Sequence, residues 1–85
     1  MFYTYVIYNQ FRDKIYIGHT AKLEERLKRH NGILKNKKKS FTSKNSGNWE
    51  LVYQESFLTR LEAMRREKEL KSFRGREFVR KLIIK

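Results

Sequence analysis

At 85 residues, with 21 Lys and Arg against 9 Asp and Glu and a formal net charge of +12, the chain has the size of one domain, 1–85, burying only about 60–65% of its unfolded surface. Its lack of cysteine excludes a disulfide framework and a thiolate zinc site, and no run approaches the roughly 18 apolar residues of a membrane span. The positive field points to nucleic acid ahead of an anionic membrane surface, and the absence of a charged-then-apolar leader makes the cytoplasm the expected compartment.

Phe2 to Tyr8 is a β-branched and aromatic run, apolar on both alternating faces, which suits a strand covered on each side. Tyr3, Tyr5 and Ile7 share one face. Asn9 to Asp13 supplies turn residues and Lys14 to Gly18 a second strand, so the two form an antiparallel hairpin with Ile15 and Ile17 opposite Tyr16. Thr20 is the expected N-cap of a helix over 21–31, with Glu24 and Glu25 near its positive end and Gly32 as its stop. Leu23, Leu27 and an extension to Leu34 make a narrow apolar stripe, bordered by His30 and Arg26.

From Lys35 to Asn48 the periodicity stops. Lys35, Lys37, Lys38, Lys39 and Lys44 stand among small polar residues, which reads either as a solvated loop or as one that contacts phosphates. Trp49 to Phe57 returns to strand patterning, with Leu51 and Tyr53 expected on one face and Val52 on the other. Thr59-Arg60-Leu61-Glu62 fits a capping box for a helix to about Ser72. Stepping by three along Leu61, Met64, Glu67 and Leu70 puts Glu67 inside the apolar arc. An inward carboxylate must be paired, hydrogen-bonded or bound to a metal, and both alternatives stay open at this point. Gly75 is expected to break the pattern before a closing helix over Arg76 to Ile84. The fold class is therefore α+β: a small three-stranded, mainly antiparallel sheet flanked by helices, in the order β-β-α-β-α-α.

Tyr16-Ile17-Gly18 closes the second strand, Arg26 and His30 follow on the first helix, and Glu67 lies on a later one. This ordered set resembles the GIY-YIG nuclease domain over almost the whole chain. Tyr16-Ile17-Gly18 matches the second half of that signature. Tyr3-Thr4-Tyr5 stands in place of the first half and keeps only its tyrosine, Tyr5. The chain looks most like small standalone bacterial proteins similar to the nuclease half of the excision-repair incision subunit.

The resemblance implies a metal-dependent endonuclease hydrolysing DNA phosphodiester bonds, in DNA repair or processing. It implies one Mg²⁺ or Mn²⁺ ion held by Glu67, with Arg26 on the scissile phosphate and His30 relaying a proton or orienting a phenol. Tyr5 and Tyr16 are its candidate bases, with preference for Tyr16 in the intact motif. A free phenol is only about 0.1% ionised at neutral pH, so nearby positive charge must favour the phenolate. His19, just after the motif, is more a positional than a catalytic candidate, and Gly18 is expected to let a phosphate approach the strand end. The reading from a different class is a basic nucleic-acid-binding module with weak or no catalysis, the lysine loop contacting phosphates. Self-repulsion favours a monomer, with an isologous homodimer through a compact apolar patch as the alternative.

Overall fold

Phe2–Asn9 (β1) and Lys14–Thr20 (β2) pair antiparallel, and Trp49–Phe57 (β3) pairs antiparallel with the other side of β1, giving the sheet order β2-β1-β3. The central place of β1 explains its unbroken apolar run, since Thr4 to Ile7 are buried on both faces. Leu23–His30 (α1), Arg60–Lys71 (α2) and Phe73–Ile83 (α3) complete the expected order. The computed structural model describes residues 1–30 and 49–83. Gly32, Leu34, the lysine loop with Lys35, Lys37, Lys38, Lys39 and Lys44, and Ile84 lie outside the described residues.

Two apolar layers sandwich the sheet. On one face Tyr5, Ile7 and Trp49 are buried with Tyr16, Leu23, Leu27 and Leu51 against them, which is the face α1 covers. On the other, Val6 and Ile17 meet Leu70 of α2 and Val79 of α3, with Ile15, Val52, Tyr53 and Ile83 around them. Thr4 faces that second layer, and its buried hydroxyl donates to the Ala63 carbonyl at 2.7 Å, so this polar group is satisfied and ties β1 to α2. In the hairpin turn Asp13 adopts φ 52°, and the Asn9 side chain accepts from the Arg12 amide at 3.1 Å. Both are turn geometries that short polar side chains favour.

Several expectations need correction. Leu51 and Tyr53 do not share a face. The register shifts between Val6 and Ile7, which pair with Tyr53 and Leu51, so Val52 is an extra residue on β3. This bulge turns Val52 and Tyr53 to the α2/α3 layer and leaves Leu51 in the α1 layer. Of the expected inward face of α2, Leu70 is buried, but Leu61 is 57% and Met64 46% exposed. Ala63 is buried in their place, with Arg66 and Glu67 at intermediate depth one turn before Leu70. Alanine packs α2 close to the sheet, which a count of large apolar residues does not register.

Gly75 does not break the chain either. The interruption is at Ser72, extended at φ −70° and ψ 167°. Its amide bonds back to the Glu69 carbonyl and its hydroxyl accepts from the Gly75 amide at 3.3 Å, closing α2 and opening α3. Gly75 lies inside α3, where a Cβ would stand 2.1 Å from the Glu69 carbonyl oxygen and 2.5 Å from the Leu70 Cα. It is glycine because the two helices touch there. The Thr59–Glu62 capping box is present as expected, with the Glu62 amide donating to Thr59 Oγ1 at 3.2 Å and the Thr59 hydroxyl to Glu62 Oε1 at 2.8 Å.

Candidate active site

The hairpin register fixes the first part of the site. Tyr5 pairs with Gly18 and Ile7 with Tyr16, so the two tyrosines and the glycine share the α1 face of the sheet. Their rings lie 6.1 Å apart between centroids. His30, at the end of α1, folds down between them: its ring is 4.8 Å from that of Tyr16 and 5.8 Å from that of Tyr5, and its Nε2 is 2.8 Å from the Tyr5 hydroxyl. Burial, helped by the Arg26 charge, lowers the His30 pKa to about 4. A neutral ring accepts at Nε2, so the Tyr5 hydroxyl donates and the proton of the imidazole sits on Nδ1. That nitrogen is buried and has no partner among the described residues.

Gly18 is not an open approach for phosphate. A Cβ there would stand 2.9 Å from the Tyr5 hydroxyl oxygen and 2.9 Å from Tyr16 Cε1, so the position is glycine to make room for the two phenols. Tyr5 is fully buried. Burial pushes its phenol far above the ordinary value, the neighbouring Tyr16 adds to this, and Arg26 pulls the other way without compensating.

The second part lies on the opposite face. His19, paired with Thr4, points to the α2 side, where its Nδ1 donates to Glu67 Oε1 at 2.6 Å. The other carboxylate oxygen of Glu67 accepts from Lys71, one helical turn on, at 2.8 Å. Burial raises the Glu67 carboxyl, and the hydrogen bonds from Lys71 and His19 outweigh it, so the group lies below its usual range and is ionised at neutral pH. β2 is an edge strand with no further strand beyond it among the described residues, and Glu67 is near enough to the first part for its charge to raise the Tyr5 phenol.

The third part is cationic. Thr20 stays in β2, its hydroxyl accepts from the Lys22 amide at 3.0 Å, and α1 begins at Leu23, two residues later than expected. That turn opens a groove of about 440 Å³ lined by His19, Lys22, Arg26, Arg29 and Arg60, with Glu25 as its acidic member. Arg60 is held there with its guanidinium 4.9 Å above the Phe2 ring. Tyr5, Tyr16 and His30 therefore cluster on one face, Glu67 and His19 on the other, and Arg26 lines the groove with His19. The sequence reading missed Lys71, Arg29 and Arg60. Lys71 was findable from its i, i+4 spacing to Glu67; Arg60 enters only through the packing of α2 beside β2.

Residues 1–79 match the family described as the GIY-YIG catalytic domain. The chain belongs to the GIY-YIG nuclease family. Among curated proteins none matches. Among solved structures, the chain is similar to the UPF0213 protein BH0048 from Bacillus halodurans, solved by solution NMR, at 29% identity, covering 96% of this chain and 85% of that one with a TM-score of 0.53. A GIY-YIG member of this shape is a nuclease-family domain that acts on nucleic acid, and among the described residues no helix is long and apolar enough to cross a membrane.

The donor chemistry around Glu67 can be compared with the ion the GIY-YIG family implies. No group of three His, Asp or Glu side chains comes together among the described residues, which does not suit an all-protein cage. One ionised, partly exposed carboxylate does suit a hydrated Mg²⁺ or Mn²⁺, which keeps most of its waters and takes one or two carboxylates plus substrate phosphate. Each oxygen of Glu67 accepts one hydrogen bond, from His19 or from Lys71, which leaves a lone pair on each for a cation.

Proposed function

We propose that this protein is a divalent-metal-dependent DNA endonuclease, a reading carried by one observation: a carboxylate ionised at neutral pH stands at the rim of the strand whose other face bears the Tyr5–Tyr16–His30 cluster, beside an arginine-lined groove. Arg26, with Arg29 and Arg60 close by, binds the scissile phosphate and offsets charge that builds on its free oxygens. Tyr16 is the preferred base. As a phenolate, its own proton having gone to solvent, it takes a proton from the attacking water as the new P–O bond forms and the bond to the 3′ oxygen breaks, the leaving oxygen taking its proton from solvent. Tyr5 suits that role less, because it is fully buried, its proton is shared with His30, and burial strongly disfavours its phenolate. Tyr5 and His30 act as a positioning pair that fixes the Tyr16 ring. Glu67 would hold the single Mg²⁺ or Mn²⁺, which when bound supplies Lewis-acid stabilisation of the phosphate and leaving oxygen.

Purified protein with supercoiled plasmid and Mn²⁺ should convert it to the nicked form, and Glu67→Ala and Arg26→Ala should each reduce the rate by roughly 100-fold or more, the scale of losing one charge-stabilising group. Nicking that survives Glu67→Ala undiminished overturns the assignment.

One observation favours a second reading, a basic nucleic-acid-binding module with weak or no catalysis. Both oxygens of the Glu67 carboxylate are paired, with His19 and with Lys71, as in a purely structural ion pair. That reading expects salt-dependent DNA binding and no cleavage of plasmid, branched or single-stranded DNA with either ion.

A further inference from the structure

A second groove, of about 430 Å³, runs between the outer rim of β2 and the last helix, α3. Its floor is the half-buried Ile15 and Tyr16 over Ile17 and Val79, which are already buried in the core, and its rim carries Lys71, Arg76 and Arg80. No acidic side chain lines it among the described residues. Lys71 and Arg80 are held at the margins by one carboxylate each, Glu67 at 2.8 Å and Asp13 at 3.2 Å. The Asp13–Arg80 pair is exposed, so exchanging its carboxylate for another anion costs little.

The two grooves lie end to end along one strand. Residues 15–17 of β2 line this one and residues 19–20 line the groove of Arg26, a separation of roughly 10 Å at about 3.3 Å per residue. Glu67 joins them, binding His19 in one and Lys71 in the other. Tyr16 lines the α3 groove as well as belonging to the phenol cluster. A polyanion seated on Arg26 and passing around the rim at Glu67 runs directly into it.

Resting on the nuclease reading, we infer that the α3 groove is a subsite for the strand flanking the scissile phosphate, receiving one nucleotide with its base out of the stack. The next phosphates lie on Arg76, Arg80 and Lys71, and the base or sugar covers Ile15 and Tyr16, the half-buried residues of the floor. A volume at the low end of small-ligand pockets, about 300–1,000 Å³, accepts a single nucleotide and not a paired and stacked one. The apolar floor gains from covering only if the base leaves water. The substrate class is therefore DNA with a single-stranded or frayed segment next to the cleaved bond, in preference to uninterrupted duplex.

The test measures binding of a fluorescein-labelled single-stranded 12-mer and of the matching duplex by anisotropy, without divalent metal, across 50–200 mM salt. Arg76→Gln/Arg80→Gln should weaken single-strand binding roughly tenfold and reduce the magnitude of its log–log salt slope by about 1.4, two phosphates at about 0.7 each. Duplex binding should change much less. Amide shifts in the unmodified protein on adding the 12-mer should appear at residues 15–17 and 76–80, a readout that does not depend on how the variant folds. If the double variant leaves the slope unchanged and shifts are confined to residues 19–29, while Arg26→Gln still weakens binding, the subsite falls and the nuclease reading stands. Equal loss for duplex and single strand overturns the preference for an unstacked nucleotide. If the unmodified protein binds neither oligonucleotide at any salt, both readings fall together.

Discussion

Gly18 separates two phenols by the width of a missing methyl group, and that makes it the most informative single position for the site. A Cβ there lies 2.9 Å from the Tyr5 hydroxyl and 2.9 Å from the Tyr16 ring. Neither ring is the free end of a flexible chain, and the Tyr5 hydroxyl is committed to His30. Gly18→Ala should therefore cost about 1–3 kcal/mol of stability, the range for overpacking, read as a drop in thermal midpoint. It should also lower nicking while leaving DNA affinity within about twofold, because the Arg26 groove is untouched. His30 gives an independent handle through pH. Its folded pKa is lowered to about 4 from the ordinary value of 6.5, so between these values the unfolded chain takes up a proton that the folded one refuses. Its contribution is complete above about pH 6.5 and is lost as pH falls toward 4. The lowered Glu67 carboxyl acts in the same sense, its contribution disappearing as pH falls below the ordinary carboxylate range. His30→Gln should flatten the fall in thermal midpoint between pH 6.5 and 5; a fall as steep as that of the unmodified protein would mean that another group is responsible.

At the scale of elements, closeness of approach decides what the sequence could and could not disclose. The order of elements, the hairpin pairing and the Thr59 capping box were legible because each rests on local composition: β-branched and aromatic runs, turn residues, and a threonine three before a glutamate. Glu67 was rightly placed near the buried side of α2, but for a partly wrong reason, since the face is set by Ala63 and Leu70 and not by Leu61 and Met64. Periodicity rewards large apolar residues and is blind to an alanine that lets a helix lie close to a sheet. The β3 bulge was equally illegible, because an extra residue such as Val52 leaves no mark on composition, and it alone moves Tyr53 onto the layer where Tyr53 and Arg66 both bond to Glu55, each at 2.6 Å. Gly75 was visible but misread: glycine means a break or a close contact, and only packing distinguishes them. Gly75→Ala forces a Cβ against backbone atoms of α2 that cannot rotate away. It should cost about 3 kcal/mol or more and detach α3 from α2, seen as a lower thermal midpoint and loss of helical ellipticity. Thr59→Ala, removing a cap at an exposed helix start, should cost only about 1 kcal/mol.

At the scale of the molecule, charge and geometry act together. A net +12 on 85 residues attracts any polyanion, and that long-range field weakens quickly with salt because the Debye length is only about 10 Å at 0.1 M. What the fold adds is a direction. Lys22, Arg26, Arg29 and Arg60 line one groove at the rim of β2, and a duplex seated there has about four phosphates neutralised. Each contributes about −0.9 to the slope of log affinity against log salt, so the slope for duplex DNA should be about −3.6. Raising salt fourfold, from 50 to 200 mM, should then weaken binding roughly 100-fold. Anisotropy with a labelled duplex measures this directly, and Arg26→Gln/Arg60→Gln should remove about 1.8 from the magnitude of the slope. A far steeper slope, unmoved by that pair, would mean that the domain binds through its field at large, with cations spread over the surface. A slope near −3.6 that falls with the pair instead ties the bound DNA to the groove that ends at His19 and Glu67, where a phosphate must sit if the carboxylate at the rim is to take part in cutting it.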